Sequence, residues 1–283
     1  MLFLSNASLK IQHGKYNVLV GLLLIAFTQG LVAQKTYGLH WRTDLSVTGI
    51  ILASNLTGLA IGQHIEPLSA AKIASLDRKN VNVLDRPATY WLHGKEDRAS
   101  NVVLKGATIA PVVLLAFKKI RKEAVVISVL YLETFTLTLG LTQLTQNLVK
   151  RSRPYAYNPE ASLESRQQVD ARRSFFSGHT SSTATSCFFA AKVWTDLHPD
   201  SAWKPAVWSA AATIPAVMGL LRMRAGRHFF TDVAAGYAVG AAVGWLVPEL
   251  HKSTRLQKKR LTFYGTPQGM GLVWRFAGGS SGE

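Results

Sequence analysis

The chain is short of acid, of cysteine and of charge altogether. Of its 283 residues only 16 are Asp or Glu, and only 17% are charged. A disordered chain is charge-rich and apolar-poor, so that class is excluded. The single cysteine, Cys187, excludes an intrachain disulfide framework and a cysteine-based zinc site. The 10 prolines and 22 glycines follow no period, which excludes collagen-like and low-complexity chains. What is abundant is apolar and basic: 48% of residues are hydrophobic, and 32 Lys and Arg leave a net charge of +16. Such a chain meets anionic partners. Nucleic acid, anionic lipid and phosphorylated substrates all satisfy that charge. The basic residues flank apolar segments instead of forming one stripe, and no recognition motif for nucleic acid appears, so nucleic acid ranks last.

The apolar residues are grouped. Lys10, His13 and Lys15 precede a run from Val18 to Ala33 that closes on Leu31-Val32-Ala33. A basic start, a short apolar stretch and small residues at its end describe a secretory signal, with a first membrane helix as the alternative. Six further segments follow: Leu45–Ile65, Gly106–Phe117, Ala124–Val149, Thr180–Ala191, Pro205–Leu221 and Val233–Pro248. Their lengths, and their Ala, Leu and Gly content, predict helices rather than strands. Only Glu133 breaks the third, and the small residues suit helix interfaces inside a membrane. The fold class is therefore all-α, a membrane-embedded helical bundle. The polar stretch 66–100 reads as short helices or turns over one face. Aromatic and apolar residues around Gly265-Thr266-Pro267 read as a short C-terminal β-hairpin. The expected organisation is 1–33 as signal or first helix, 34–100 as a helical and polar region, 101–250 as a helical core, and 251–283 as a basic linker and hairpin tail. Basic clusters at 118–122 and 251–260 prefer the cytoplasmic side, which places the opposite segment ends on the exported face.

Three clusters carry chemistry, and all lie at segment ends. The first is Lys150-Arg151-Ser152-Arg153-Pro154. Pro154 stops the helix before it, so Arg153 sits at a helix end and can turn toward a site. The second is Phe176-Ser177-Gly178-His179, just ahead of an apolar helix. A helix N-terminus offers unpaired N–H groups to an anion. Ser177 adds a hydroxyl, Gly178 admits close approach, and His179 exchanges a proton near neutral pH. The third runs from Arg222 through His228 to Asp232. Four residues apart, His228 and Asp232 share a helical face, and a carboxylate there can hold one imidazole nitrogen and free the other. Arg222 offers a bidentate guanidinium to a phosphate.

Together these clusters resemble the type 2 phosphatidic acid phosphatases, which share a fold with bacterial acid phosphatases and vanadium haloperoxidases. That superfamily's motifs are Lys-x6-Arg-Pro, Pro-Ser-Gly-His and Ser-Arg-x5-His-x3-Asp. Here they read Gln146-x6-Arg153-Pro154, Phe176-Ser177-Gly178-His179 and Leu221-Arg222-x5-His228-x3-Asp232. The resemblance spans about 106–248. It implies a phosphatase acting on monoesters or diphosphates of lipids, with no metal and no cofactor, and with a phosphorylated lipid and the membrane as partners. It implies His228 as nucleophile, Asp232 as its orienting acid and His179 as the proton donor to the leaving alcohol. Arg153, Ser177, Gly178 and Arg222 would hold the phosphoryl oxygens. Gln146 stands where the motif has lysine, and Lys150, four residues on, is expected to share its helical face and to compensate in part for the missing cation. The alternatives are a soluble exported acid phosphatase of broad specificity, a haloperoxidase, and a weakly active relative that only binds lipid.

Overall fold

The computed structural model describes residues 36–253 and the segments 261–266 and 269–274. The expected signal or first helix at 1–33 lies outside the described residues. Six long helices carry the body: α1 (Trp41–Gly62), α2 (Gly94–Val113), α3 (Ala124–Val149), α4 (Gly178–Leu197), α5 (Lys204–Arg224) and α6 (Phe230–Leu250). Five of them (α1, α2, α3, α5 and α6) are long and apolar enough to cross a membrane. Successive helices run in opposite directions. The ends of α1, α3 and α5 therefore meet the beginnings of α2, α4 and α6 at one pole, where the three clusters lie.

The sixth helix, α4, lies in the middle. It packs against α2, α3, α5 and α6, while α1 packs on α3. Its Thr180, Ser181, Ser182, Thr183, Thr185 and Ser186 are buried. A buried hydroxyl is costly unless bonded, a cost that Thr183 bears, its Oγ1 having no hydrogen-bond partner. Thr138 and Thr185 hydroxyls meet at 2.9 Å, Thr142 and Ser181 at 3.1 Å, and Tyr131 and Ser186 at 2.9 Å. These pairs hold α3 to α4. On the other side α6 presents Gly236, Gly240 and Gly244 at intervals of four. A Cβ on them would stand 2.6, 2.2 and 2.5 Å from the carbonyl oxygens of Ser177, Ser181 and Thr185. The stripe lets the α6 backbone lie directly on that of α4.

Helix ends follow local chemistry. α3 stops because Lys150 takes a left-handed conformation, φ 51°. Ser177 caps α4 by accepting from the Thr180 N–H, and Pro205 sits in the first turn of α5. One expectation needs correction. The stretch up to residue 100 is not all short turns, because α2 begins at Gly94 with Glu96 and Asp97 in its first turn. Acids there complement the helix dipole. Past the helices, Leu261–Thr266 and Gly269–Trp274 pair antiparallel, Leu261 opposite Trp274 and Thr266 opposite Gly269.

Candidate active site

Backbone hydrogen bonds stitch the segment ends into one floor. The Arg153 N–H donates to the Ala171 carbonyl at 2.8 Å, Ser174 N–H to Arg151 at 3.1 Å, and Tyr155 N–H to Gly226 at 2.9 Å. The Ser177 N–H donates to the Asp232 carbonyl at 3.0 Å, which locks the start of α4 onto the start of α6. Gly226 is required here: its φ is +68°, and a Cβ would fall 2.3 Å from the Trp91 carbonyl oxygen.

His228 lies in the loop between α5 and α6 and is 1% exposed. Its Nδ1 lies 2.8 Å from the Ser174 carbonyl. A carbonyl only accepts, so Nδ1 carries the proton and Nε2 keeps its lone pair. Burial, and then the positive charge of Arg153, push its pKa down to about 4. The imidazole is neutral at neutral pH.

The direct bond expected between Asp232 and His228 is not what the structure shows. Asp232 Oδ2 stands 3.8 Å from Nδ1, beyond hydrogen-bond reach. It accepts instead from the Ser174 hydroxyl at 2.5 Å and the Phe229 N–H at 2.9 Å. Ser174 is thus the relay: its hydroxyl is held by Asp232 and its carbonyl holds the histidine. The physical reason is the loop's position, since α6 begins at Phe230 and His228 precedes its first turn.

Around this pair stand the arginines. Arg153 is 6% exposed and Arg222 is 5% exposed. Arg153 donates from Nε and Nη2 to the Asp170 carbonyl and carboxylate at 2.9 and 2.8 Å. Arg222 Nη1 donates to Asp97 at 2.7 Å and to the Ser100 hydroxyl at 3.0 Å. Its Nε is buried without a partner, a donor still to be used. His179 Nε2 is 2.8 Å from Asn101 Oδ1, and burial, followed by the positive charge of Arg222, pushes its pKa down to about 3. The structure therefore gathers His179, Arg153, Arg222, His228, Asp232, Ser177 and Gly178 at one pole.

Two expected phosphate ligands are placed otherwise. Gln146 Nε2 donates to the Phe176 carbonyl at 2.9 Å, so it braces the loop that leads into α4. Phe176, where the motif has proline, follows a cis peptide bond. α3 ends at Val149, and Lys150 follows as its left-handed C-cap, with its N–H still donating to the Gln146 carbonyl at 3.1 Å.

Several residues were not foreseen. Arg151 bridges Asp85 at 2.7 Å and Asp232 at 2.5 Å, and its guanidinium lies 4.1 Å from the centre of the Phe229 ring. Asp85 is fully buried and also accepts from the Thr231 N–H and hydroxyl at 2.9 and 2.7 Å and from Asn82 at 2.6 Å. Burial would raise its carboxyl, but these bonds outweigh it and hold the pKa below the ordinary value. Asp97 takes both Arg222 and Arg227, the latter at 2.9 Å. Two acids in the first turn of a helix are the sequence signal that would have placed Asp97 at this pole.

Residues 127–255 match the model of the PAP2 superfamily. The match contains all three motifs. Asp85, Asp97 and Asn101 lie ahead of the PAP2 segment and complete its pole from outside. Among solved structures, the chain resembles the first transmembrane PAP2-type phosphatidylglycerolphosphate phosphatase of known structure, from Bacillus subtilis. The two are 19% identical, with a TM-score of 0.46, and the likeness covers 72% of this chain and 94% of that one. No curated protein matches the chain.

Proposed function

We propose that this protein is a membrane phosphatase that hydrolyses phosphate monoesters or diphosphates of lipids through a phosphohistidine at His228. The observation that carries the reading is the orientation of His228. Its Nδ1–H is tied to the Ser174 carbonyl, which leaves Nε2 as a neutral nucleophile beside two buried arginines.

In the first step Nε2 attacks phosphorus and the bond to the leaving oxygen breaks. His179, neutral in the free protein and protonated once the negative phosphate is bound beside it, gives that proton to the oxygen and releases the alcohol or phosphate. In the second step His179, now neutral, takes a proton from water, and the resulting oxygen displaces Nε2 to release phosphate. Negative charge spreads over the three equatorial oxygens in both steps. Arg153, Arg222, the Ser177 hydroxyl and the Gly178 N–H at the start of α4 are the groups that meet it. Arginines fixed before substrate arrives supply here the neutralisation that a metal supplies in other phosphoryl transfers. Substrate must displace Asp97 and Asp170 from part of their hold on the two guanidiniums, a cost that favours a doubly charged phosphate over a singly charged one.

The setting supports a lipid substrate. The pole lies at the ends of helices able to cross a membrane, so a headgroup reaches His228 while its chains stay among the helices. The basic segment 118–122 lies at the opposite pole, which supports a cytoplasmic setting for that pole and an exported one for the site.

The test is phosphate release by the full chain in detergent from phosphatidic acid, an isoprenyl diphosphate and p-nitrophenyl phosphate. The reading expects turnover with no need for added Mg²⁺, a preference for the lipids, inhibition by orthovanadate and no activity in His228→Ala. Preference for the soluble ester would favour a general acid phosphatase. Lipid binding without turnover would overturn the enzymatic reading.

A further inference from the structure

We propose that Asp44, Glu133 and His251 bind one divalent transition-metal ion, of the zinc or manganese kind, which clasps three helices at the pole opposite His228. Asp44 stands in the first turn of α1, Glu133 on α3, and His251 immediately after α6. Each offers one ligand atom, and the three atoms lie within 4.8 Å of one another. All three residues are buried, at 4%, 3% and 0% exposure.

What distinguishes this group is an unmet demand. Asp44 Oδ2 and Glu133 Oε2 are buried without a hydrogen-bond partner. A buried carboxylate oxygen left so is costly, more so on a helix that crosses a membrane. The neighbouring polar group on α4 and α6 has no such deficit: Lys192 pairs with Asp196 and Glu249, and Lys252 pairs with the same two acids.

The histidine is set as a ligand would be. His251 Nδ1 donates to the Val247 carbonyl at 2.8 Å, which turns Nε2 toward the two acids. Nε2 stands 2.8 Å from Asp44 Oδ1 and 3.7 Å from Glu133 Oε2. Fixing one ring nitrogen on a carbonyl is how proteins orient an imidazole toward a metal. Neighbouring ligands on a tetrahedral ion with bonds of about 2.0–2.1 Å stand about 3.3 Å apart, within the range these pairs already span. Charge points the same way. With the ring protonated and both acids ionised, the site carries one negative charge in excess. A divalent ion that replaces the ring proton makes it neutral. One nitrogen with two carboxylates suits zinc or manganese better than magnesium, which favours oxygen and keeps its waters.

The consequence is structural. The described chain closes on itself at this pole: the Gly38 N–H donates to the His251 carbonyl at 2.9 Å, and Tyr37 bridges Lys252. An ion here would tie α1, α3 and α6 where both ends of the described body meet.

The experiment uses the full chain in detergent, stripped with a chelator and dialysed. Zn²⁺, Mn²⁺ and Mg²⁺ are added separately. Bound metal is counted by mass spectrometry and thermal unfolding is followed. The proposal expects one zinc or manganese per chain and a rise in Tm of several degrees, with little effect of Mg²⁺. Glu133→Gln keeps the volume and relieves the charge, so it should fold and lose both responses. His228→Ala should keep both, which separates this site from the catalytic pole. No bound metal and no change in Tm would overturn the proposal. So would a response that persists in Glu133→Gln, since the ion would then sit elsewhere.

Discussion

Gly236 offers a test in which two physical effects oppose each other. It lies on α6 against the first turn of α4, and a Cβ there would stand 2.6 Å from the Ser177 carbonyl oxygen, against 3.4–4 Å for ordinary contact. Helix propensity alone says that Gly236→Ala stabilises, by about 1 kcal/mol. The clash is with backbone, not with a side chain that can swing away, and overpacking of this kind costs about 1–3 kcal/mol. The net effect on stability is a small loss. The effect on activity is larger, because the group pushed aside is the Ser177-Gly178 turn that meets the phosphoryl oxygens. A displacement of about 1 Å at such a position can cost on the order of 100-fold in rate. Gly244→Ala supplies the control. Its Cβ would meet the Thr185 carbonyl oxygen at 2.5 Å, a similar clash two turns further from the pole. The assay is kcat on phosphatidic acid together with thermal unfolding. Both variants should lose similar stability, and only Gly236→Ala should lose most of its kcat. Equal activities in the two variants would refute the claim that the glycine stripe positions the site, and a more stable Gly236→Ala would refute the close contact itself.

The other predictions concern charge. Arg151→Leu leaves Asp85 and Asp232 buried without their shared cation. Breaking a buried pair costs about 3–5 kcal/mol, and the donors that remain on both acids place this loss near the lower end. Denaturant unfolding in detergent measures it, and Arg151→Lys should rescue little, since one ammonium does not bridge both acids as a guanidinium fork does. His228 has its pKa pushed down to about 4. The unfolded chain takes up the proton at about 6.5 and the folded chain does not, so stability is full above that pH and falls as pH drops toward 4. The loss attributable to this group is on the order of 3 kcal/mol, and it should vanish from the pH dependence of Tm in His228→Gln.

Much of this arrangement was legible in the residues. The six apolar segments predict the six long helices, because a helix that crosses a membrane or lies at the centre of a bundle carries little charge along its length. The three motifs predict which residues meet at one pole, because each lies at a segment end. What escaped has a common cause. Ser174 acts through its backbone carbonyl, a group every residue has and no sequence marks. Arg151 sits in a basic run next to Arg153, and only the fold tells which of the two faces Asp232 and which faces Asp170. Asp85 and Asp97 lie 61 and 49 residues ahead of Gln146, where the first motif begins, and pairing at such range depends on packing. The helical period placed Lys150 beside Gln146, but Lys150 is the left-handed C-cap at which α3 ends.

The central claim is that His228 becomes phosphorylated, and rapid quench with a ³²P-labelled lipid phosphate tests it most directly. The account predicts label on a peptide containing His228, stable in alkali and lost in acid, slower both to form and to decay in His179→Ala and absent from His228→Ala. Turnover with no trapped label in either background, or label that survives in His228→Ala, would contradict it.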